Sequence, residues 1–316
     1  MNKLKYSKVF EVLVKETKDY LLNNNLKAMV LGISGGIDST VTAAICHEVS
    51  KQTGIPLIGR SLPIKNKEDE LYTSKLVGGT FCSDFIVYNL RRSYEAALLD
   101  ACIAAKDATF ACSYYLDELE EMPSRTPIAN GNLQARCRMQ HLYDLASINN
   151  GLVMSTDNQT EYQLGFWTIH GDVGDFDPLQ DLWKTEVYEL ARYIFDMYDS
   201  EARKIGAYLS PNASYFVRKL DALKHSINLT PTDGLGISNS DLDQIGAKSY
   251  AEVDDILQTL ISISECGNPN AFMLHSVVLS DKYGEDVVKK VWKRHIASEF
   301  KRKKAPIYVE RSKYEN

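Results

Sequence analysis

Ala28-Met29-Val30-Leu31-Gly32-Ile33-Ser34-Gly35-Gly36-Ile37-Asp38-Ser39-Thr40 is the stretch that decides the fold. Its first half is a continuous apolar run, the pattern of a strand buried on both faces, and the run breaks at once into serine and glycine. A helix starting near Asp38 then carries Val41, Ala44 and Ile45 toward the sheet. Working outward, residues 7–22 read as a helix with Val9, Phe10, Val12 and Leu13 on one side. Pro56–Leu62, Phe85–Tyr88 and Gly151–Ser155 read as further strands, and helical spacing recurs over 133–148 and 184–197. Strands alternating with helices predict an α/β protein with a parallel sheet sandwiched by helices. The polar stretch 198–245 predicts loops and short helices, and 285–302 a helix with Val288, Val291, Trp292 and Ile296 on one stripe. With no internal repeat and no linker, residues 1–316 are expected to form a single domain.

Composition narrows the function. The 316 residues are 44% hydrophobic and 25% charged, with a net charge of −6, so nothing in the bulk charge calls for nucleic acid. The N-terminus lacks the apolar core of a signal peptide, and no run approaches the roughly 20 apolar residues of a membrane helix. The six cysteines are scattered without a C-x-x-C pair, which argues against a zinc site or a disulfide framework and suits a reducing cytoplasm.

Gly32-Ile33-Ser34-Gly35-Gly36-Ile37-Asp38-Ser39 lies between strand and helix, where glycines bring backbone N–H groups close to an anion and the helix start adds its own donors. Ser34 and Ser39 can donate to the same oxyanion, and Asp38 beside phosphate implies a bridging Mg²⁺. A bare glycine turn with Asp38 capping a helix is the plainer reading. No Gly-Lys-Ser/Thr follows, so this is not a Walker A loop. It resembles S-G-G-x-D-S/T, the loop of the ATP pyrophosphatases, which split ATP into AMP and pyrophosphate.

Asn130–Met139 opens a helix whose Arg136 and Arg138 either grip a carboxylate or phosphate in a fork or lie on a solvated face. Ser155–Glu161 follows a strand, at the edge where α/β proteins place ligands. There Glu161 can add a second carboxylate to the Mg²⁺ of Asp38, and Thr156 can meet ATP. Next come Thr168–Asp175, Pro178-Leu179, Lys184 and Pro231-Thr232.

Taken in order, these blocks resemble the ammonia-dependent NAD⁺ synthetases over roughly residues 26–306. The tail agrees through Asp241–Gly246, Tyr250–Asp255 and Lys301-Arg302. The resemblance implies an adenine nucleotide alpha hydrolase-like sandwich that works as a homodimer in the cytoplasm. It implies amidation of deamido-NAD⁺ by ammonia through an adenylate, with ATP as co-substrate and Mg²⁺ as cofactor. Residues 32–39, Thr156, Lys184 and Thr232 would meet ATP, Asp38 and Glu161 would hold Mg²⁺, and Arg136, Asp175 and Lys301 would contact deamido-NAD⁺. Asp172 or Asp175 would receive the ammonium proton. Ile169 and Phe300 stand where the family often has Lys and His, and Phe300 falls on an apolar helical stripe that predicts a core contact. The chain ahead of the loop strand is too short for a glutaminase domain, so free ammonia or a separate supplier is expected. Another amidating pyrophosphatase would share the loop but not predict the Arg136 and Glu161 blocks together, and a tRNA-thiolating one would call for paired cysteines and a basic RNA surface. A passive adenine-nucleotide-binding module would leave Asp38 and Glu161 without a role.

Overall fold

The structure is a computed structural model that describes residues 4–106, 116–204, 213–231 and 240–302. Among the described residues four short strands, β1 (Met29–Gly32), β2 (Leu57–Ser61), β3 (Asp84–Val87) and β4 (Leu152–Met154), form one sheet in the order β3-β2-β1-β4. All pairings are parallel, with Met29 opposite both Leu57 and Leu152. The chain steps outward from β1 to β3, then crosses back to place β4 on the far side of β1. That reversal opens a crevice beyond the carboxyl ends of β1 and β4, where sheets of this kind bind ligands.

Side chains alternate across β1. Met29 and Leu31 face a core built with α1 (Tyr6–Asn23), α2 (Ile37–Thr53), α8 (Lys184–Lys204) and α9 (Ala213–Asn228). Val30 faces the opposite core with α4 (Arg91–Ala104), α5 (Leu116–Glu120) and α6 (Pro127–Ile148). Val41, Ala44 and Ile45 of α2 are fully buried, as their spacing predicts. On α1 the buried residues are Phe10, Val14, Thr17 and Leu21, so the inward stripe is turned from the expected one and Val12 is exposed.

Beside the sheet, α3 (Glu68–Phe81) links β2 to β3, and the short α7 (Gln159–Leu164) follows β4. A third apolar cluster joins α7 to α10 (Asp241–Ile245), α11 (Tyr250–Glu265), α12 (Pro269–Tyr283) and α13 (Glu285–Ala297). Two expectations are corrected here. Of the stretch 198–245, the described residues are largely helical: α8 runs on to Lys204, and α9 buries Leu220, Ala222 and Leu223 in the main core. The helix expected over 285–302 breaks at Ser298, and α14 (Glu299–Arg302) points Phe300 outward at 54% exposure, while Ile296 is 50% exposed. With so short a segment after the break, the α13 stripe is not carried through, and Phe300 is not a core contact. Among the described residues no helix is long and apolar enough to cross a membrane. The described cysteines, Cys46, Cys82, Cys102, Cys137 and Cys266, are all free thiols.

Candidate active site

The loop after β1 lies against α3. Gly35 has φ +89°, and a Cβ there would stand 2.8 Å from both the Glu70 carbonyl oxygen and the Ser74 backbone nitrogen, so only glycine fits. The loop is closed by its own hydroxyls: Ser34 Oγ lies 3.0 Å from Ser39 Oγ and accepts from the Gly36 N–H at 3.2 Å. Gly36 caps α2 without a side-chain acceptor, and the first turn of α2 has the backbone donors and positive dipole end that suit an anion. Asp38 sits in that turn.

The crevice brings Asp38 to Glu161 through one lysine. Lys184 Nζ, on the first residue of α8, donates to Asp38 Oδ2 at 2.6 Å and to Glu161 Oε1 at 2.9 Å. Asn158 takes the remaining oxygens: its Nδ2 donates to Asp38 Oδ1 at 2.9 Å, and its N–H donates to Glu161 Oε2 at 3.3 Å. Asn158 and Glu161 also form the capping box of α7. Lys184 is only 2% exposed. Burial alone would lower its ammonium, but the two carboxylates outweigh burial and hold it well above its ordinary value. Asp38 and Glu161 remain partly open to the crevice, with side-chain exposures of 15% and 18%.

This donor set suits a hard cation shared with phosphate. Both groups are carboxylates, and among the described residues no third acidic, His or Cys side chain completes a cage. Magnesium is characteristically held by one or two carboxylates plus substrate phosphates and water.

Close to this centre lies a second group of acids. Asp157 accepts from Ser155 Oγ at 2.7 Å, and burial together with Asp172, Asp177 and Glu161 raises its carboxyl well above the ordinary range. Burial pushes Asp177 up to about 7 against the Leu179 N–H it accepts at 2.9 Å; its Oδ2 is buried with no hydrogen-bond partner among the described residues. Asp172 is accessible to solvent yet closely surrounded by protein. That crowding raises it to about 6, opposed by the Thr168 N–H at 2.7 Å and by the charges of Lys301 and Arg136.

The other expected site residues are placed as follows. Thr156 stands between Ser155 and Asp157 on the loop after β4. Arg136 is exposed and its guanidinium donates to the Ile169 carbonyl at 3.1 Å, so it reaches the turn that carries Asp172. Lys301 is turned inward: Nζ donates to the carbonyls of Gly165, at 2.7 Å, and Trp167. Asp175 serves the sheet edge, accepting from Val153 N–H at 3.0 Å and Tyr143 OH at 3.1 Å. Thr232 lies outside the described residues. His295, not among the expected site residues, stacks on Trp292 and pairs with the Gln163 carbonyl at 3.1 Å, a packing role. Sequence reading passed over Asn158, although the spacing Asn158-x-x-Glu161 is a capping-box signal that finds it.

Sheet order and flanking helices define an α/β fold of the adenine nucleotide alpha hydrolase-like kind. The chain belongs to the NAD synthase family, whose family model matches residues 9–305. It is 32% identical to the NH₃-dependent NAD⁺ synthetase of Thermoplasma acidophilum over 233 residues, 73% of this chain and 76% of that one. It is 29% identical to the corresponding enzyme of Finegoldia magna over 255 residues, 80% and 85% of the two chains. In fold it is similar to the NMN synthetase of Francisella tularensis, with TM-score 0.67 and 24% identity over 98% of this chain and 100% of that one. The NH₃-dependent NAD synthetase of Campylobacter jejuni superposes with TM-score 0.60 and 22% identity, covering 97% and 100%.

Proposed function

We propose that this chain amidates deamido-NAD⁺ with ammonia at the expense of ATP, giving NAD⁺, AMP and pyrophosphate through an adenylate, and that it does so as a cytoplasmic homodimer with residues 1–316 forming one unit. The observation that carries the reading is the convergence of Asp38, Glu161 and Lys184 beside the open N-terminus of α2. Such a centre is suited to the negative charge that builds on the α-phosphate and the departing pyrophosphate. Residues 32–39 would cradle those phosphates through backbone N–H groups, with Thr156 and Thr232 also on ATP. Asp38 and Glu161 would hold Mg²⁺, which when bound neutralises phosphate charge as a Lewis acid. Lys184, released from one carboxylate, can then turn its ammonium to phosphate. No protein nucleophile is required, since alignment of the nicotinate carboxylate with the α-phosphorus supplies most of the acceleration.

The dinucleotide would lie along the wall made by Arg136, the turn 168–172 and Lys301, with Asp175 supporting that wall through β4. Ammonium must lose a proton before it attacks the acyl carbon. Of the two candidate bases, Asp172 is better suited, being accessible and raised to about 6, whereas both oxygens of Asp175 are occupied.

The test is an end-point assay with ATP, Mg²⁺, ammonium and deamido-NAD⁺, resolved by chromatography. Equal yields of NAD⁺, AMP and pyrophosphate are expected. Because a protein similar in fold is an NMN synthetase, nicotinate mononucleotide is run in parallel. Faster amidation of the mononucleotide would overturn the dinucleotide assignment, and ATP binding without cleavage would overturn the enzymatic reading altogether.

A further inference from the structure

Lys184 and Glu161 must hold a fixed separation if one phosphate group is to meet both the ammonium and the cation that Glu161 would hold, yet they stand on different helices. The N–H of Lys184, an orphan donor at the start of α8, is accepted by Thr160 Oγ1 at 2.9 Å. Thr160 is the residue directly before Glu161, and its hydroxyl donates in turn to Asp254 Oδ1 at 2.5 Å. The other oxygen of Asp254 accepts from both Thr185 N–H, at 3.0 Å, and Thr185 Oγ1, at 2.7 Å. Thr185 is the residue directly after Lys184. One carboxylate on α11 therefore closes a ring of hydrogen bonds around the neighbours of both charged groups.

Asp254 is 2% exposed and Thr160 1%. A buried carboxylate is costly unless well paired, and this one is paired wholly within the ring. It also supplies negative charge to the positive end of α8, a role that helices ordinarily give to a residue adjacent in sequence. Here the acceptor comes from a different helix, which ties the C-terminal helical unit to the phosphate centre.

The geometry points to Asp254 as a positioning residue for the reaction: through Thr160 and Thr185 it sets the spacing of Glu161 and Lys184 at the Mg²⁺-ATP centre. This inference rests on the function proposed above only for its turnover arm, since metal and nucleotide binding are read independently of it.

The experiment compares wild type with Asp254→Asn, Thr160→Val and Thr160→Ser. Asparagine keeps the shape but presents an amide hydrogen to one of its three donors. Loss of such an outer partner typically costs about 10–100-fold in metal affinity or activity. The Mg²⁺ concentration giving half-maximal binding of a non-hydrolysable ATP analogue should rise by that factor in Asp254→Asn and in Thr160→Val. The affinity measured without Mg²⁺ should stay within about threefold of wild type, well inside that 10–100-fold effect. Thr160→Ser, which keeps the hydroxyl, should restore the Mg²⁺ dependence. In turnover, kcat should fall more than the KM for deamido-NAD⁺ rises. An unchanged Mg²⁺ dependence in Asp254→Asn, or a serine variant no better than valine, would overturn the proposal. If Asp254→Asn does not fold, the two Thr160 variants decide it. If wild type makes no NAD⁺ but the binding shifts appear, the function fails and the positioning role stands.

Discussion

Replacing Gly35 by alanine puts a methyl group 2.8 Å from the Glu70 carbonyl oxygen and from the Ser74 nitrogen, both on the backbone of α3. No side chain can swing away to make room. The left-handed φ of +89° adds roughly 1–2 kcal/mol for any residue with a Cβ. Overpacking of this kind costs a further ~1–3 kcal/mol. The two effects can be separated with Gly54, the C-cap of α2. It has φ +73°, but a methyl group there would meet nothing within 4 Å, so Gly54→Ala carries only the conformational cost. Urea unfolding of the two variants side by side should show Gly35→Ala less stable than Gly54→Ala by about 1–3 kcal/mol. If the loop relieves the clash by moving, the strain appears instead as lost nucleotide affinity, about tenfold for each 1.4 kcal/mol. Titration with a non-hydrolysable ATP analogue reads that second outcome, and Gly54→Ala should bind normally. A Gly35→Ala protein that matches Gly54→Ala in stability and binds the analogue like wild type would refute the reasoning about this loop.

Lys184→Met removes the ammonium between two partly buried carboxylates, so the protein should lose about 3–5 kcal/mol of stability in Mg²⁺-free buffer. Mg²⁺ alone should then raise its melting temperature more than that of wild type, because the ammonium no longer competes for Asp38 and Glu161. Asp172→Asn should keep ATP–pyrophosphate exchange in the presence of deamido-NAD⁺ while NAD⁺ formation slows by about 10²–10⁴-fold, the range of general-base contributions. Equal loss of both activities would remove Asp172 from the ammonium step. Asp177 has a folded pKa of about 7 against an ordinary 3.8, so its neutral form is the one the fold prefers. Its stabilising contribution is complete below 3.8 and is lost as pH rises toward and through 7. Asp177→Asn, which cannot ionise, should therefore gain melting temperature relative to wild type at pH 8 and gain little at pH 4, and a pH-independent difference would contradict the burial argument.

The strand-and-loop centre was legible because several local signals coincide there: a continuous apolar run, the glycine turn and a helix start. Glu161 and Lys184 stood out as charged residues in the blocks that carry the family resemblance, but not the lysine bridge between the carboxylates, which needs three elements brought together in space. Helices were missed where period is blurred. In α3, Gly78-Gly79-Thr80 lowers helix propensity, and α12 shows apolar residues such as Met273, Leu274, Val277 and Val278 on its exposed side. Helix α9 was hidden by the polar flanks around it, and tertiary packing against α3 and α8 overrides that bias. The Asp254–Thr160 bond spans 94 positions, beyond the reach of any local pattern. Lys301 and Asp175 have the expected charge, yet nearby carbonyls and the edge of β4 engage it.

The central claim is that the nicotinate carboxylate is activated as an adenylate at this centre. Deamido-NAD⁺ labelled with oxygen-18 in that carboxylate, turned over with ATP, Mg²⁺ and ammonium and followed by mass spectrometry of the products, tests it most directly. The account predicts one heavy oxygen in AMP and none in pyrophosphate, since the attacking carboxylate oxygen leaves with the α-phosphorus. Unlabelled AMP, or label in a phosphate released together with ADP, would contradict it.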